Sequence, residues 1–325
     1  MLVSVIIPAF NVAGCLDRAI DSVLAQTLQD FEIIVVDDAS SDGTVDLVRQ
    51  RAALDPRISL LQNPVNSGPS VARNRGIGAA RGEWVAILDA DDAYEPDRLE
   101  ALCGIGETNR AHLVADNLVL YDAVAEVRTG LAIAGLSENA VDLVSTENFL
   151  RNGITGRSPF DYGQLKAMMR RSFLLEQDLR YPETLRHGED FDLYARVLLA
   201  GGRFVLVGKP RYLFTQRVGQ VSGKSSGFSR STIANFDAMR RFTLSLLAHP
   251  AVQGNVQREA LIHERASAIL WHKSHMTFSN FARDRDFTGL LRASLTDWRI
   301  VVVLMRRIAH RLLRAATPPG LQNQA

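Results

Sequence analysis

Residues 84–100 read WVAILDADDAYEPDRLE. An apolar run leads into three carboxylates, Asp89, Asp91 and Asp92, and then into a helix start near Glu95-Pro96. A short continuous apolar run bounded by polar residues suits a strand covered on both faces, as in a parallel sheet. Like charges crowded at its end repel one another, so something must compensate them. Carboxylates at a strand end suit a hard divalent cation, Mg²⁺ or Mn²⁺, which takes oxygen ligands and shares them with a diphosphate. The competing reading is structural: a turn in which Asp92 helps to cap the following helix.

The pattern upstream decides the fold class. LVSVII (2–7), FEIIVVD (31–37), ISLLQ (58–62) and EWVAILD (83–89) read as strands. Between them, AGCLDRAIDSVLAQ (13–26) places Leu16, Ala19, Ile20, Val23 and Leu24 at helical spacing, and DGTVDLVRQRAAL (42–54) and PSVARNRGIGAA (69–80) supply two more helices. This alternation predicts an α/β protein with a Rossmann-like, mostly parallel, doubly wound sheet flanked by helices. Ligands of such sheets bind beyond the carboxyl ends of the strands. Those ends carry Phe10-Asn11, Asp37-Asp38, Asn66 and Asp89.

Past residue 110 the pattern changes. HLVADNLVLYD (112–122) and RTGLAIAG (128–135) are expected to form an antiparallel hairpin, and QLKAMMRRSFLLEQ (164–177) a strand passing into a helix. EDFDLYARVLLAG (189–201) reads as a helix closed by Gly201-Gly202, and RFVLV (203–207) and RYLFTQR (211–217) as two short strands. From Gly227 to Arg314 the chain reads as helical throughout, which puts a boundary near 222–228.

Composition narrows the class. With 46% hydrophobic and 22% charged residues the chain can bury a sizeable core. A net charge of +1 gives no field that would attract nucleic acid. Two cysteines, Cys15 and Cys103, argue against a disulfide framework or a thiolate metal site and fit a reducing cytoplasm. MLVSVIIPAF lacks a basic leading region and is interrupted by Pro8, so a buried strand explains it better than a signal peptide. No run of about 18 apolar residues occurs to span a bilayer. The expectation is a cytoplasmic protein, free or at the inner face of the cytoplasmic membrane.

The series VSVIIPAFN (3–11), IIVVDDASSDGT (33–44), NSGPSVARNRG (66–76) and ILDADDAYEPDRLE (87–100) resembles family 2 glycosyltransferases of the GT-A fold. A later GED (188–190) extends the resemblance to about residue 220. It implies a catalytic domain over 1–222, with a nucleotide-binding half (1–110) and an acceptor-binding half (111–222), followed by a helical region over 223–325. It further implies inverting transfer of a hexose from a UDP-sugar, UDP-glucose or a relative, to a saccharide acceptor such as a lipid-linked polysaccharide intermediate. In that reading Phe10 stacks on uracil beside Pro8 and Asn11, and Asp38 hydrogen-bonds the base. Arg73 reaches the nucleotide, with Asn66 and Asn74 shaping the same loop; Asp89 faces the ribose and Asp91 holds the metal. The aspartate cluster is then compensated by metal and substrate, not by a basic side chain.

Single-displacement inversion also needs a base to take the acceptor hydroxyl's proton. HGEDFDLYAR (187–196) offers His187, Glu189, Asp190 and Asp192 at a helix start, where acidic residues also simply complement the helix dipole. The resemblance selects the ED pair, with Asp190 as base and Glu189 second, orienting the acceptor. In FTQRVGQVSGKSS (214–226), Arg217, Ser222 and Lys224 read either as diphosphate contacts or as a surface linker. GIGAARG (76–82) is not a dinucleotide fingerprint: its glycines are wrongly spaced and follow a helix, so close packing explains them better.

In LLRASLTDWRIVVVLMRRIAHRLLRAA (290–316), Leu291, Leu295, Trp298, Val302, Met305, Ala309 and Leu312 recur at three- and four-residue steps. Arg292, Arg299, Arg306, His310 and Arg314 mark another face. Such a basic amphipathic helix over 291–314 either lies in an anionic membrane surface or docks on the catalytic domain with its basic face solvated. His263, His272 and His275 lack neighbouring carboxylates in sequence and read as surface or core residues. Two rivals remain open. One is an aspartate-nucleophile phosphatase, with Asp89 attacking phosphorus and Asp91 as acid/base, although Ala93 stands where Thr or Val is wanted. The other is a non-catalytic nucleotide-sugar-binding module, against which the intact ED pair argues.

Overall fold

A computed structural model describes residues 1–123, 125–158, 160–216 and 230–316. The N-terminal half follows the expected alternation: β1 (Val3–Ala9), α1 (Leu16–Leu24), β2 (Phe31–Asp37), α2 (Thr44–Leu54), β3 (Ile58–Gln62), α3 (Pro69–Ala79) and β4 (Trp84–Ile87). β2 and β4 are buried along their whole length, as is β1 apart from Pro8. This is why they are written as unbroken β-branched runs. β1 pairs in parallel with β2 on one side and β4 on the other. Its register sets Ala9 opposite Asp37 and Ile6 opposite Ile87, so Phe10, Asp38 and Asp89 emerge along one rim.

Next come β5 (Ala93–Tyr94), α4 (Arg98–Thr108), β6 (Leu113–Asp122), β7 (Val127–Leu131), β8 (Val141–Val144), α5 (Thr146–Asn152), β9 (Met168–Arg170), α6 (Arg171–Glu176), α7 (Glu189–Leu199) and β10 (Phe204–Gln216). The sheet order is β3-β2-β1-β4-β9-β6-β10-β5, with β7 on β6 and β8 on β10. β9 is antiparallel to both β4 and β6, so it joins the parallel half to the mixed half. The β6–β7 hairpin is present as expected. The two short strands expected at 203–217 are one strand, β10, whose register against β6 shifts between Val207 and Tyr212, where Gly208 and Pro210 sit. Proline is tolerated in a strand at such an irregularity.

The helical region contains α8 (Arg230–Ser245), α9 (Val256–Asp284), α10 (Phe287–Thr296) and α11 (Trp298–Ala316). The single helix expected over 290–316 is two. Asp297 breaks it, accepting hydrogen bonds from Ser274 Oγ and from the Arg299 backbone amide. The boundary expected near 222–228 lies outside the described residues. The packing boundary falls inside α9. Leu246, Val252, Leu261 and Ile262 belong to the main core, whereas Phe278, Ile300 and Val303 form a second, small cluster.

Two of the three glycines of GIGAARG, Gly76 and Gly82, serve packing. A Cβ on Gly76 would stand 2.5 Å from Ile6 Cγ2, while Gly78 has nothing within 4 Å. Gly76→Ala should therefore cost about 1–3 kcal/mol of stability by overpacking. Gly78→Ala should be neutral or stabilising by up to about 1 kcal/mol. Urea denaturation of the two variants checks the contrast.

Candidate active site

At the end of β4, Asp89 is gripped from two sides. Arg73, buried on α3, places Nη2 3.0 Å from Asp89 Oδ1 and Nη1 2.6 Å from Glu189 Oε1 at the start of α7. Lys166, buried just before β9, places Nζ 3.0 Å from Asp89 Oδ2 and 3.0 Å from Asp190 Oδ2. Two cations thus hold three carboxylates drawn from β4 and α7. Burial works against the charge on Asp89, yet Lys166 and Arg73 outweigh it and keep its carboxyl well below the usual carboxylate range. Burial likewise opposes the charges on Lys166 and Arg73, and the surrounding carboxylates overcome it, so both stay protonated. The expectation that no basic side chain compensates Asp89 is therefore wrong. Coulombic attraction in a buried setting is strong enough to pull a lysine from a distant strand into the cluster.

Lys166 is itself fixed from beneath. Arg98 is fully buried and donates to Asp116 Oδ1 from Nε (3.1 Å) and Nη2 (2.9 Å). The same Nη2 donates to the Lys166 carbonyl at 2.7 Å. The guanidinium lies 4.4 Å and 5.1 Å from the ring centres of Tyr94 and Tyr212.

The other two aspartates of the motif have separate tasks. Asp92 is buried; it accepts from the Tyr212 hydroxyl at 2.6 Å and from the Thr215 backbone amide at 2.7 Å. Burial, with the charges of Asp91 and Asp89, pushes its carboxyl well above the usual range. Asp92 thus ties the turn to β10 and does not cap a helix. α4 begins at Arg98, later than expected, and its preceding residue Asp97 pairs with Lys209 and Arg211. Asp91 remains partly exposed at the rim. Its backbone carbonyl accepts from Arg18 and from the Thr215 hydroxyl.

Along β1 and β2 the rim is open. Phe10 is exposed. Asn11 adopts a left-handed backbone, φ 53°, and its side-chain oxygen accepts from the Ser41 amide at 2.8 Å. Pro8 is half-buried within β1. The Asp38 carboxylate accepts from Asn63 Nδ2 (2.8 Å) and from the Ser67 (2.9 Å) and Gly68 (2.7 Å) amides. It holds the loop entering α3, and Asn66 donates to its carbonyl at 3.4 Å. Its neighbour Asp37 is buried with Oδ1 unpartnered. Asn74 is not part of that loop, contrary to expectation. It faces the other way along α3 and clamps the Tyr181 backbone with two hydrogen bonds of 2.9 Å.

Around α7, Asp190 keeps Oδ1 buried while Oδ2 meets Lys166. Burial and the nearby Asp190 charge push the Tyr181 hydroxyl well above its ordinary value. Asp192 turns away to Arg196 at 2.8 Å, and burial raises its carboxyl. His187 is exposed. Arg217, Ser222 and Lys224 lie outside the described residues. His263 is exposed, His272 packs on Phe236, and His275 lies beside Arg307. Among the described residues, no three His, Cys, Asp or Glu side chains form a ready-made cation cage.

Lys166 and Arg98 are the site residues that sequence reasoning missed; Asp37 is named there only as part of a strand end. For Lys166 a signal existed: a single lysine between Leu165 and Ala167 at the entry to an apolar strand has no reason to be there unless paired.

A sheet whose parallel strands end in a carboxylate rim, faced by an acidic helix start, is the architecture expected of the GT-A fold. Residues 4–176 match the sequence family described as Glycosyl transferase family 2, more than half of the chain. The chain belongs to that family and is a glycosyltransferase. It is similar to the succinoglycan biosynthesis protein ExoO of Rhizobium meliloti (strain 1021), 34% identical over 315 residues, covering 97% of this chain and 87% of ExoO. It is also similar to ExoU of the same organism, 31% identical over 265 residues, covering 81% and 74%. In fold it resembles residues 1–349 of S. aureus TarS solved with UDP-GlcNAc, with a TM-score of 0.62, 18% identity and coverage of 91% and 92%. A second fold neighbour is the mannosyltransferase PcManGT of Pyrobaculum calidifontis solved with GDP-Man and Mn²⁺, with a TM-score of 0.54, 19% identity and coverage of 94% and 84%. The phosphatase and the non-catalytic module are thereby set aside.

The ion network sets an acid-stability signature. Asp89, held below its unfolded value, contributes stability that is present above about pH 4 and is lost as the pH falls further. Lys166→Met should cost about 3–5 kcal/mol at neutral pH by leaving Asp190 without its cation and Asp89 with Arg73 alone. It should also reverse the slope, the variant gaining stability as the pH is lowered from 7 to about 5. Urea midpoints measured across this pH range test both statements.

Proposed function

We propose that this glycosyltransferase moves a hexose from a UDP-sugar, UDP-glucose or a relative, to a saccharide acceptor, with inversion and in a single displacement. The observation that carries the reading is the state of Asp190. One carboxylate oxygen is anchored by Lys166, and the other lies buried beside the Tyr181 hydroxyl. A base anchored in this way is held in position to take the acceptor hydroxyl's proton. Glu189 is the poorer candidate because a buried arginine already takes it at 2.6 Å. Its role is to hold α7 against Arg73 and so orient the base.

For the donor, exposed Phe10 offers a flat face to the base, a contact on the order of 1–3 kcal/mol. The Asp38 carboxylate accepts from three donors of the loop entering α3 and retains a lone pair that would take the imide N–H of uracil. Asp89, neutralised by Arg73 and Lys166, presents a balanced carboxylate toward the ribose.

The donor set fits a hard divalent cation of the Mg²⁺ or Mn²⁺ type. Asp91, partly exposed at the rim two residues beyond Asp89, is the carboxylate that would hold it. Ions of this kind commonly take one or two carboxylates and draw their other ligands from diphosphate and water. When bound, the ion neutralises charge on the leaving diphosphate. TarS was solved with UDP-GlcNAc and PcManGT with GDP-Man and Mn²⁺, which supports the same donor class and ion here. ExoO and ExoU are named for succinoglycan biosynthesis, which supports polysaccharide assembly, with a lipid-linked intermediate as acceptor.

Asp190→Asn should bind UDP within about threefold of the parent yet lower sugar transfer by about 10²–10⁴. Asp91→Asn should lose the dependence of UDP-sugar turnover on added Mn²⁺. Calorimetry with UDP, run beside an assay of UDP release with and without Mn²⁺, separates the two defects. Unimpaired transfer by Asp190→Asn would overturn the assignment of the base.

A further inference from the structure

The distal part of α9 forms a small, separately packed paddle with α10 and α11. Its buried apolar residues are Phe278, Ile300 and Val303, backed by Ala282, Leu290 and Ala293. Outside that core the two helices leave large apolar side chains in the open. Among the described residues, eight of the eighteen exposed large hydrophobics fall between Phe287 and Ile308. Leu295 is 82% exposed, Phe287 71%, Leu291 65%, Met305 61% and Trp298 60%. At about 100° per residue, Trp298, Val301, Leu304, Met305 and Ile308 share an arc of about 120° on α11. Phe287, Leu291 and Leu295 share an arc of about 80° on α10.

Positive charge borders this face. Exposed Arg292 lies beside the α10 arc, and Arg299 and Arg306 beside the α11 arc. The acids of the segment are occupied: Asp286 caps α10 through the Gly289 amide at 2.8 Å, and Asp297 is taken by Ser274 and Arg299. Trp298 meets Trp271 edge to face at 5.6 Å between ring centres, with Arg299 5.3 Å from the Trp298 ring and Arg306 5.5 Å from the Trp271 ring. Aromatic bodies with polar edges, flanked by arginines, match the boundary between acyl chains and headgroups.

We propose that this face docks on an anionic lipid bilayer, with α10 and α11 lying in the interface and the bordering arginines on headgroup phosphates. Among the described residues no helix is long and apolar enough to cross a membrane, so the contact is a surface one. A second copy would bring arginine borders against each other, which charge repulsion opposes. The docking reading is independent of the catalytic one, because none of these residues belongs to the rim.

The full chain should co-sediment with vesicles of phosphatidylglycerol and phosphatidylcholine in equal parts, and not with phosphatidylcholine alone. High salt should release it, and tryptophan emission should shift to the blue on binding. Leu295→Asp should weaken binding about tenfold or more. Arg292→Gln and Arg306→Gln should each weaken it about fivefold on anionic vesicles. All three are surface changes and should leave the melting temperature as it is. The proposal is overturned by absence of vesicle binding, by equal binding to neutral vesicles, or by binding insensitive to Leu295→Asp. It is also overturned if the lipid-free chain self-associates and Leu295→Asp dissolves the assembly, which would assign the face to a second copy.

Discussion

The constraint on which the site depends is the position of Asp89 between Arg73 and Lys166. A carboxylate at the mouth of a buried strand, beside Asp91 and Asp92, would repel both neighbours. Desolvation would then drive it toward the neutral form. Two buried cations reverse that balance. Their own burial is tolerable only because Glu189 and Asp190 share them, so no member of the set can be removed without stranding another. This mutual dependence joins four parts of the chain: the rim of β4, the helix α3, the entry to β9 and the start of α7.

That joining has a chemical consequence. Arg73 links Asp89, on the donor side, to Glu189 beside the proposed base. Lys166 links the same Asp89 to the base itself. The distance between Asp89 and the proposed base is therefore set by two side chains, not by loop conformation. Effective positioning of reacting groups needs such rigidity. Arg98, buried between Tyr94 and Tyr212 and bonded to the Lys166 carbonyl, extends the rigidity one layer inward.

How far the sequence reveals this varies with the physics of each element. β1, β2 and β4 are legible because burial on both faces leaves an uninterrupted apolar text. The rim residues Phe10, Asp38 and Asp89 follow from strand ends in register. β8 is not legible, since three of its four residues are exposed and its Val-Asp-Leu-Val pattern is too short to register. β10 reads as two strands because Gly208, Lys209 and Pro210 look like a turn, whereas pairing with β6 resumes beyond them. Lys166 is hidden for a different reason: its partners come from two other elements, and ion pairing leaves no periodic trace. Asp37 and Asp38 are equivalent as letters. Only the hydrogen bonds of Ser67 and Gly68 tell which one holds the loop entering α3.

The helical region shows the same limit. Periodicity runs through Leu291, Leu295 and Trp298 without a break, so the hinge at Asp297 is invisible until Ser274 on α9 is seen to hold it. Composition places the boundary before α8, yet packing ties α8 and the first part of α9 to the catalytic core. Met239 on α8 closes against Gly188, which precedes the ED pair. The buried guanidinium of Arg265 on α9 lies 3.3 Å from the ring centre of Phe191, the residue between Asp190 and Asp192. Desolvation lowers the proton affinity of that arginine, and Asp161 and Asp192 offset the loss, so it remains a charged wedge against α7. The start of α7 is thus braced by Arg73 and Lys166 on the side of the sheet and by the C-terminal helices through Gly188 and Phe191. A base on a helix end would otherwise fray with its first turn. The C-terminal helices are therefore part of what makes the site rigid, and only their distal paddle is free to serve another surface.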